Sequence, residues 1–266
     1  MIGQKRLREQ ISHQLELNRF PTFAIFVGPK GCGKKMLANE LFKPIVNVTM
    51  SADGIREMIQ CAYTTSLEAT YILADADNLS NAAYNAMLKV VEEPPMRSRF
   101  IVTCANIENI PDTIRSRAVV YQFDPYSFDE LCEFCEHYHI EFTTFISGVA
   151  ETPGDILTLT EYKDLEDFVD LVIDNIASVS GANAFKIGEK IDLKNDDPKK
   201  YNLELFLKAF SSKCVDYMME HDPSNCLKFS KAVAITGNVI ADLNIKALNR
   251  QMLFDKWLLD IRGEWL

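Results

Sequence analysis

No stretch of this 266-residue sequence approaches the roughly 20 uninterrupted apolar residues that span a bilayer. The opening Met1-Ile2-Gly3-Gln4-Lys5-Arg6 lacks the apolar core of a signal peptide. These two absences give the expectation of a cytoplasmic chain with no membrane partner. Basic residues are in deficit, with 28 Lys and Arg against 38 Asp and Glu, a net charge of −10 and a pI near 5.0. Phosphate contacts are made by clustered Lys and Arg, so a free-standing nucleic-acid binder is a poor reading, and any DNA contact is local or shared with partner chains. A disulfide framework is lacking too, because the seven cysteines (32, 61, 104, 132, 135, 214, 226) are odd in number and scattered. Cys132, Cys135, His137 and His139 crowd one segment, but zinc sites draw their ligands from separated elements, and 128–139 reads as an amphipathic helix. No internal repeat or low-complexity tract is evident.

What is present is ordinary globular composition, 47% hydrophobic and 25% charged, enough for a substantial core. Five apolar, β-rich runs occur at 23–27, 45–49, 70–73, 100–104 and 119–123. Between them lie helical patterns at 34–42, 54–63 and 81–93, the last with Ser80 as its N-cap and Pro94-Pro95 as its stop. Strands alternating with helices predict an α/β fold, a mostly parallel sheet with helices on both faces. Beyond Pro125 the strand signal fades, and 203–209, 226–239 and 247–261 carry apolar residues at helical spacing. The expected division is 1–124, 125–178 and 179–266.

Gly28-Pro29-Lys30-Gly31-Cys32-Gly33-Lys34-Lys35 follows the first strand and opens a helix, the context that makes a G-x-x-x-x-G-K string a credible phosphate cradle. Gly28, Gly31 and Gly33 let backbone N–H groups face a polyphosphate, and Lys34 supplies a point charge for its terminal oxygens. The next position departs from the pattern. Lys35 stands where a Ser or Thr hydroxyl would bind Mg²⁺, so ATP or ADP is the possible ligand and metal-assisted hydrolysis is in doubt. The third strand leads into Ala74-Asp75-Ala76-Asp77-Asn78-Leu79-Ser80, where such an ATPase needs a carboxylate, and Asp75 is the candidate. A role for Asp75 and Asp77 as mere turn-initiating caps is equally open.

Asn85-Ala86-Met87-Leu88-Lys89-Val90-Val91-Glu92-Glu93-Pro94-Pro95 resembles the signature N-A-L-L-K-x-L-E-E-P-P of AAA+ clamp-loader subunits, and Thr113-Ile114-Arg115-Ser116-Arg117-Ala118 resembles their T-I-x-S-R-C motif. With Ile2-Gly3-Gln4 and the phosphate loop, four motifs stand in the family's order across the first 125 residues. The resemblance implies a RecA-like AAA+ domain over 1–124, a helical lid over 125–178 and a helical collar over 179–266. It also implies sister AAA+ subunits, a sliding clamp, and primer-template DNA met through the complex.

The departures sharpen the resemblance. In either register of the acidic motif one carboxylate is missing, and Gly154 stands where active family members carry a lid arginine. This is similar to delta-prime subunits, whose nucleotide sites are commonly degenerate but which keep an arginine that reaches a neighbour's ATP in trans. Arg117 inherits that role; a surface ion pair is its blander use. The four-cysteine zinc module of bacterial relatives is absent, since only Cys61 lies between Lys34 and Tyr71, so no zinc is expected. Trp257-Leu258-Leu259 and the preceding segment from Asn244 resemble the last collar helices, although periodicity alone requires only packing within their own domain. Two other readings accompany this one: a self-assembling ATPase using Lys34, Asp75 and Arg117, and a nucleotide-free scaffold.

Overall fold

In the computed structural model the five apolar runs form one parallel sheet: β1 (Phe23–Val27), β2 (Ile45–Asn47), β3 (Ala69–Leu73), β4 (Ser98–Cys104) and β5 (Val119–Gln122), in the order β2-β3-β4-β1-β5. The α/β class read from the alternation is therefore the observed one. The structure describes residues 2–176, 181–193, 197, 199–220, 223–243, 245 and 248–265. The expected boundary between 178 and 179, and parts of 194–200 and 244–247, lie outside the described residues.

Central strands are apolar throughout because both faces are covered. Phe23, Ile25 and Val27 point to one side, against Ile55, Met58 and Ile59 of α3 (Ala52–Thr64) and Met87 and Val90 of α4 (Asn81–Glu92). Ala24 and Phe26 point to the other, against Leu7 and Ile11 of α1 (Lys5–Glu16) and Leu37 and Ala38 of α2 (Lys34–Leu41). Ser80 caps α4 by accepting from the Ala83 N–H at 3.3 Å, and Ser51 does the same for α3 from Gly54 at 3.0 Å. The first helix escaped the sequence reading: its apolar positions 7, 11 and 15 are correctly spaced, but charged residues surround them.

The chain divides into two compact units, Met1–His137 with Thr152–Gly154, and Tyr138–Glu151 with Asp155–Leu266. After the short helix α5 (Asp112–Arg115) and β5, the first unit continues into α6 (Phe128–Tyr138). The second is built from α7 (Thr144–Val149), α8 (Pro153–Glu161) from Asp155 onward, α9 (Leu165–Asn175), α10 (Gly181–Lys190), α11 (Leu203–Glu220), α12 (Pro223–Asp242) and α13 (Arg250–Trp265). It also contains a two-residue parallel pair, β6 (Ile191–Asp192) with β7 (Tyr201–Asn202), in a region read as helical, because two residues are too few to show a period.

Trp257 is fully buried among Phe206, Phe210 and Phe254, and its indole N–H donates to Thr236 Oγ1 at 3.0 Å. It thus serves as core of its own unit, while Met252 and Leu259 on α13 stay exposed. Lys208 and Lys213 of α11 reach carboxylates on neighbouring segments. Lys208 bridges Glu151 at 2.6 Å and Glu204 at 3.3 Å; Lys213 bridges Glu166 at 2.7 Å and Asp170 at 3.2 Å. Among the described residues no group of three or more His, Cys, Asp or Glu could hold a metal ion, and no helix is long and apolar enough to cross a membrane.

Candidate functional site

The phosphate loop leaves the C-terminal end of β1 and delivers Gly33, in left-handed backbone (φ 88°), to the N-terminus of α2. Its glycines are fixed by neighbours as well as by backbone. A Cβ on Gly28 would fall 2.8 Å from Cβ of Phe123, and one on Gly31 (φ 78°) would fall 2.8 Å from Cα of Gly154 and 2.6 Å from Thr152 Oγ1. A Cβ on Gly154 would in turn lie 2.4 Å from Cα of Gly31, and the Gly154 N–H donates to the Gly31 carbonyl at 3.2 Å. Residues 152–154 therefore pack against the loop, backbone to backbone.

Lys34 is directed inward. It is only 7% exposed, and its Nζ donates to the carbonyls of Gly28 at 2.6 Å and Pro29 at 2.7 Å, with Cys32 Sγ at 3.8 Å. The ammonium is thus partnered by its own loop. Burial raises the Cys32 thiol above its ordinary value, with the Lys34 charge opposing. Cys104, at the end of β4, is pushed up to about 12 by burial and then by Asp77, again against Lys34. Lys35 is exposed on the first turn of α2, and it presents a second cation where a hydroxyl would be.

The N-terminal Ile2-Gly3-Gln4 has a structural use in this region. The Gln4 amide brackets Asp124, donating to its carbonyl at 2.6 Å and accepting from its N–H at 3.0 Å. The Tyr126 hydroxyl donates to the carbonyls of Ile2 at 3.3 Å and Cys32 at 3.1 Å. Gly3 (φ 74°) is required because a Cβ there would meet the Tyr126 ring at 2.5 Å.

The acidic loop after β3 emerges at the same end of the sheet, one strand away from β1. Its two aspartates differ. Asp77 accepts from the N–H groups of Ala105 at 2.7 Å and Asn106 at 3.0 Å, so it ties this loop to the one after β4. Asp75 has left-handed backbone (φ 54°) and an exposed side chain; its N–H donates to Thr103 Oγ1 at 3.0 Å.

Arg117 lies elsewhere. It follows α5 and precedes Val119, which pairs with Ala24, whereas the phosphate loop begins beyond Val27, which pairs with Gln122. Four strand residues put roughly 13 Å of sheet between the two ends. Of the two arginines in the motif, Arg115 is committed to Glu108 at 3.0 Å and to Asp112, with its side chain 26% exposed. The Arg117 side chain is 45% exposed; its Nη1 donates to the Thr113 carbonyl at 2.9 Å, and its Nη2 lies 3.5 Å from one carboxylate, Glu92. Sequence reasoning located Arg117 but not Glu92, whose E-E-P-P string gave no hint of its partner.

Residues 46–127 match the family described as DNA polymerase III, delta subunit, a span that includes the acidic loop, α4 and Arg117. DNA polymerase III subunit gamma of Buchnera aphidicola subsp. Baizongia pistaciae is 27% identical over 205 residues, covering 60% of this chain and 55% of the relative. A gamma subunit-related protein of Thermotoga maritima superposes with a TM-score of 0.57 at 13% identity, covering 97% of this chain and 99% of that one. A point mutant of Thermotoga maritima RuvB superposes at 0.53 and 17% identity, over 97% and 88%. The chain spans about half the length of the curated gamma subunits it matches. The motif resemblance is thus matched by relatives: the chain is similar over part of its length to DNA polymerase III subunits, and its sheet with flanking helices has the fold of the Thermotoga maritima gamma subunit-related protein.

Proposed function

We propose that this chain is a delta-prime-like subunit of a DNA sliding-clamp loader, holding nucleotide weakly or not at all and presenting Arg117 to the ATP of a neighbouring subunit. Its partners on this reading are sister AAA+ subunits, a sliding clamp, and primer-template DNA reached through the assembly. The observation that carries the proposal is Arg117, half-exposed at the opposite end of the sheet from this chain's own phosphate loop.

The residues around the phosphate loop do not fit a Mg²⁺-nucleotide well. Lys35 offers a positive charge in place of an oxygen ligand, and residues 152–154 occupy one flank of Gly31. No hydrolytic step is therefore assigned to this chain. An arginine reaching across an interface stabilises charge on the transferred phosphoryl group and can be worth ~10³–10⁵ in rate. Such a side chain is sufficient chemistry for a subunit that hydrolyses nothing itself.

The test compares two variants in the complex reconstituted with the gamma-type ATPase of the same organism. Lys34→Ala should leave DNA-stimulated ATP hydrolysis near the wild-type rate, and Arg117→Ala should lower it at least tenfold. The reverse pattern would make this chain an ATPase in its own right. Hydrolysis untouched by both changes would leave it a scaffold.

A further inference from the structure

The E-E-P-P string ends α4 and places a carboxylate at the helix terminus. Pro94 and Pro95 cannot continue the helix, which fixes Glu92 as its last residue, and at that point Glu92 Oε1 meets Arg117 Nη2 at 3.5 Å. The other terminal nitrogen is spent on the same chain, on the Thr113 carbonyl at 2.9 Å and Ser116 Oγ at 3.4 Å. These contacts of the guanidinium are all internal, and one of them is ionic. The C-terminal carbonyls of α4 add partial negative charge on the same side. Both side chains are about half exposed, 45% for Arg117 and 52% for Glu92, so the pair can open without leaving a buried charge behind.

We infer that Glu92 is a positioning residue for Arg117: it stows the guanidinium against its own subunit and must release it before the arginine can reach a neighbour's phosphate. This rests on the reading of Arg117 given above. An anion that holds the arginine in the free chain competes with the phosphate, so the engaged arrangement is drawn from the fraction of molecules in which the pair is open. Exposed ion pairs are worth a factor of about two to five in such an equilibrium, and salt screens them. The latch consequently sets how easily the subunit engages. It does not set how fast the chemistry runs once Arg117 is in place.

The test uses Glu92→Gln, which keeps size and an acceptor oxygen but removes the charge, with Glu93→Gln as the control one residue along. This chain is titrated into the gamma-type ATPase of the same organism with ATP and Mg²⁺, and half-saturating concentration is separated from maximal rate. Glu92→Gln should lower the half-saturating concentration about two- to fivefold with maximal rate unchanged, the gain shrinking in 0.5 M salt, while Glu93→Gln behaves as wild type. In the isolated chain, side-chain NMR should show faster exchange of the Arg117 Nε–H in Glu92→Gln, a readout that needs no partner. A maximal rate that falls with Glu92→Gln as it does with Arg117→Ala would overturn the latch and make Glu92 a support for the engaged arginine. Unchanged half-saturation and unchanged exchange would also overturn it. If Arg117→Ala itself has no effect on hydrolysis while the NMR change is present, the latch stands as a local fact and the trans role of Arg117 is what fails.

Discussion

The two ends of the parallel sheet use cations in opposite ways. At the C-terminal end Lys34 lies in a cradle whose string promises phosphate, with two of its three N–H donors given to loop carbonyls within 2.7 Å and Gly31 of the same loop packed against another segment's backbone. At the N-terminal end Arg117 is held by one exposed carboxylate and its immediate neighbours. A motif defines where a group starts along the chain, but burial and hydrogen bonding decide whether it is available. By that measure Arg117 is the more available of these two cations.

The sharpest way to break this contrast is at Arg117. Arg117→Ala should leave folding unchanged, because it removes only exposed contacts, and should cost the complex at least tenfold in stimulated hydrolysis if the site it serves limits the cycle. Arg117→Lys should rescue poorly, since an ammonium lacks the planar fork that grips two phosphate oxygens. Single-turnover hydrolysis at the neighbouring site measures both. A lysine variant with full activity would mean that charge alone is needed there.

Next in size is the contact that closes the other end. Gly154→Arg restores the side chain that active family members are implied to carry, but its Cβ would lie 2.4 Å from Cα of Gly31, a backbone atom with no rotamer to yield. Forcing added volume into a packed contact costs about 1–3 kcal/mol, so the melting temperature should drop by several degrees. A variant that keeps its melting temperature and gains nucleotide binding would show that residues 152–154 leave the loop freely.

Much of the sheet was legible in the sequence because its signals are local: apolar β-rich runs, the Ser80 cap, the Pro94-Pro95 stop and the Gly-rich turn all act within a few residues. The site was legible only as addresses. That Asp77 would bind the N–H groups of Ala105 and Asn106, that Gly154 would meet Gly31, and that Glu92 would meet Arg117 are facts of tertiary contact between segments 25 to 123 residues apart. Charge partition was visible but unread. Residues 125–178 carry thirteen Asp and Glu against the single Lys163, while 1–124 hold fourteen Lys and Arg against thirteen Asp and Glu. An acidic stretch of that density needs cations from outside itself, and α11 supplies Lys208 and Lys213.

Those two lysines give a pH test of the second unit. Burial opposes the charge on Lys208, but the hydrogen bond it donates to Glu151 and the charges of Asp155 and Glu204 outweigh that cost, so its pKa is raised; Lys213 is raised in the same way by Glu166 and Asp170. A lysine whose folded pKa lies above its unfolded value contributes stability that is fully present below the unfolded value of about 10.5 and is lost as pH rises through the folded one. Melting temperature should therefore fall more steeply above pH 10.5 in wild type than in Lys208→Met combined with Lys213→Met. At neutral pH that double variant should lose about 1 kcal/mol. Parallel alkaline melting curves would mean that the bridges contribute no net stability.

The smallest effect is expected at Asp75, and its smallness is informative. In a hydrolysing site the carboxylate after the third strand is indispensable, whereas here it is exposed on a left-handed residue and its neighbour Asp77 does the structural binding. Asp75→Asn keeps the side-chain shape and the tolerance for left-handed backbone that alanine would lose. Stability should change by less than about 0.5 kcal/mol, the ordinary range for an exposed position. On the proposed reading, in which the subunit's own site takes no part in the reaction, stimulated hydrolysis by the reconstituted complex should stay at the wild-type level. Asp77→Ala provides the contrast: it strands two partly buried N–H groups and should cost about 2 kcal/mol. A fall in hydrolysis with Asp75→Asn, in a protein that melts normally, would reassign the chemistry to this chain's own phosphate loop and leave Lys34's inward geometry as a resting state that nucleotide displaces.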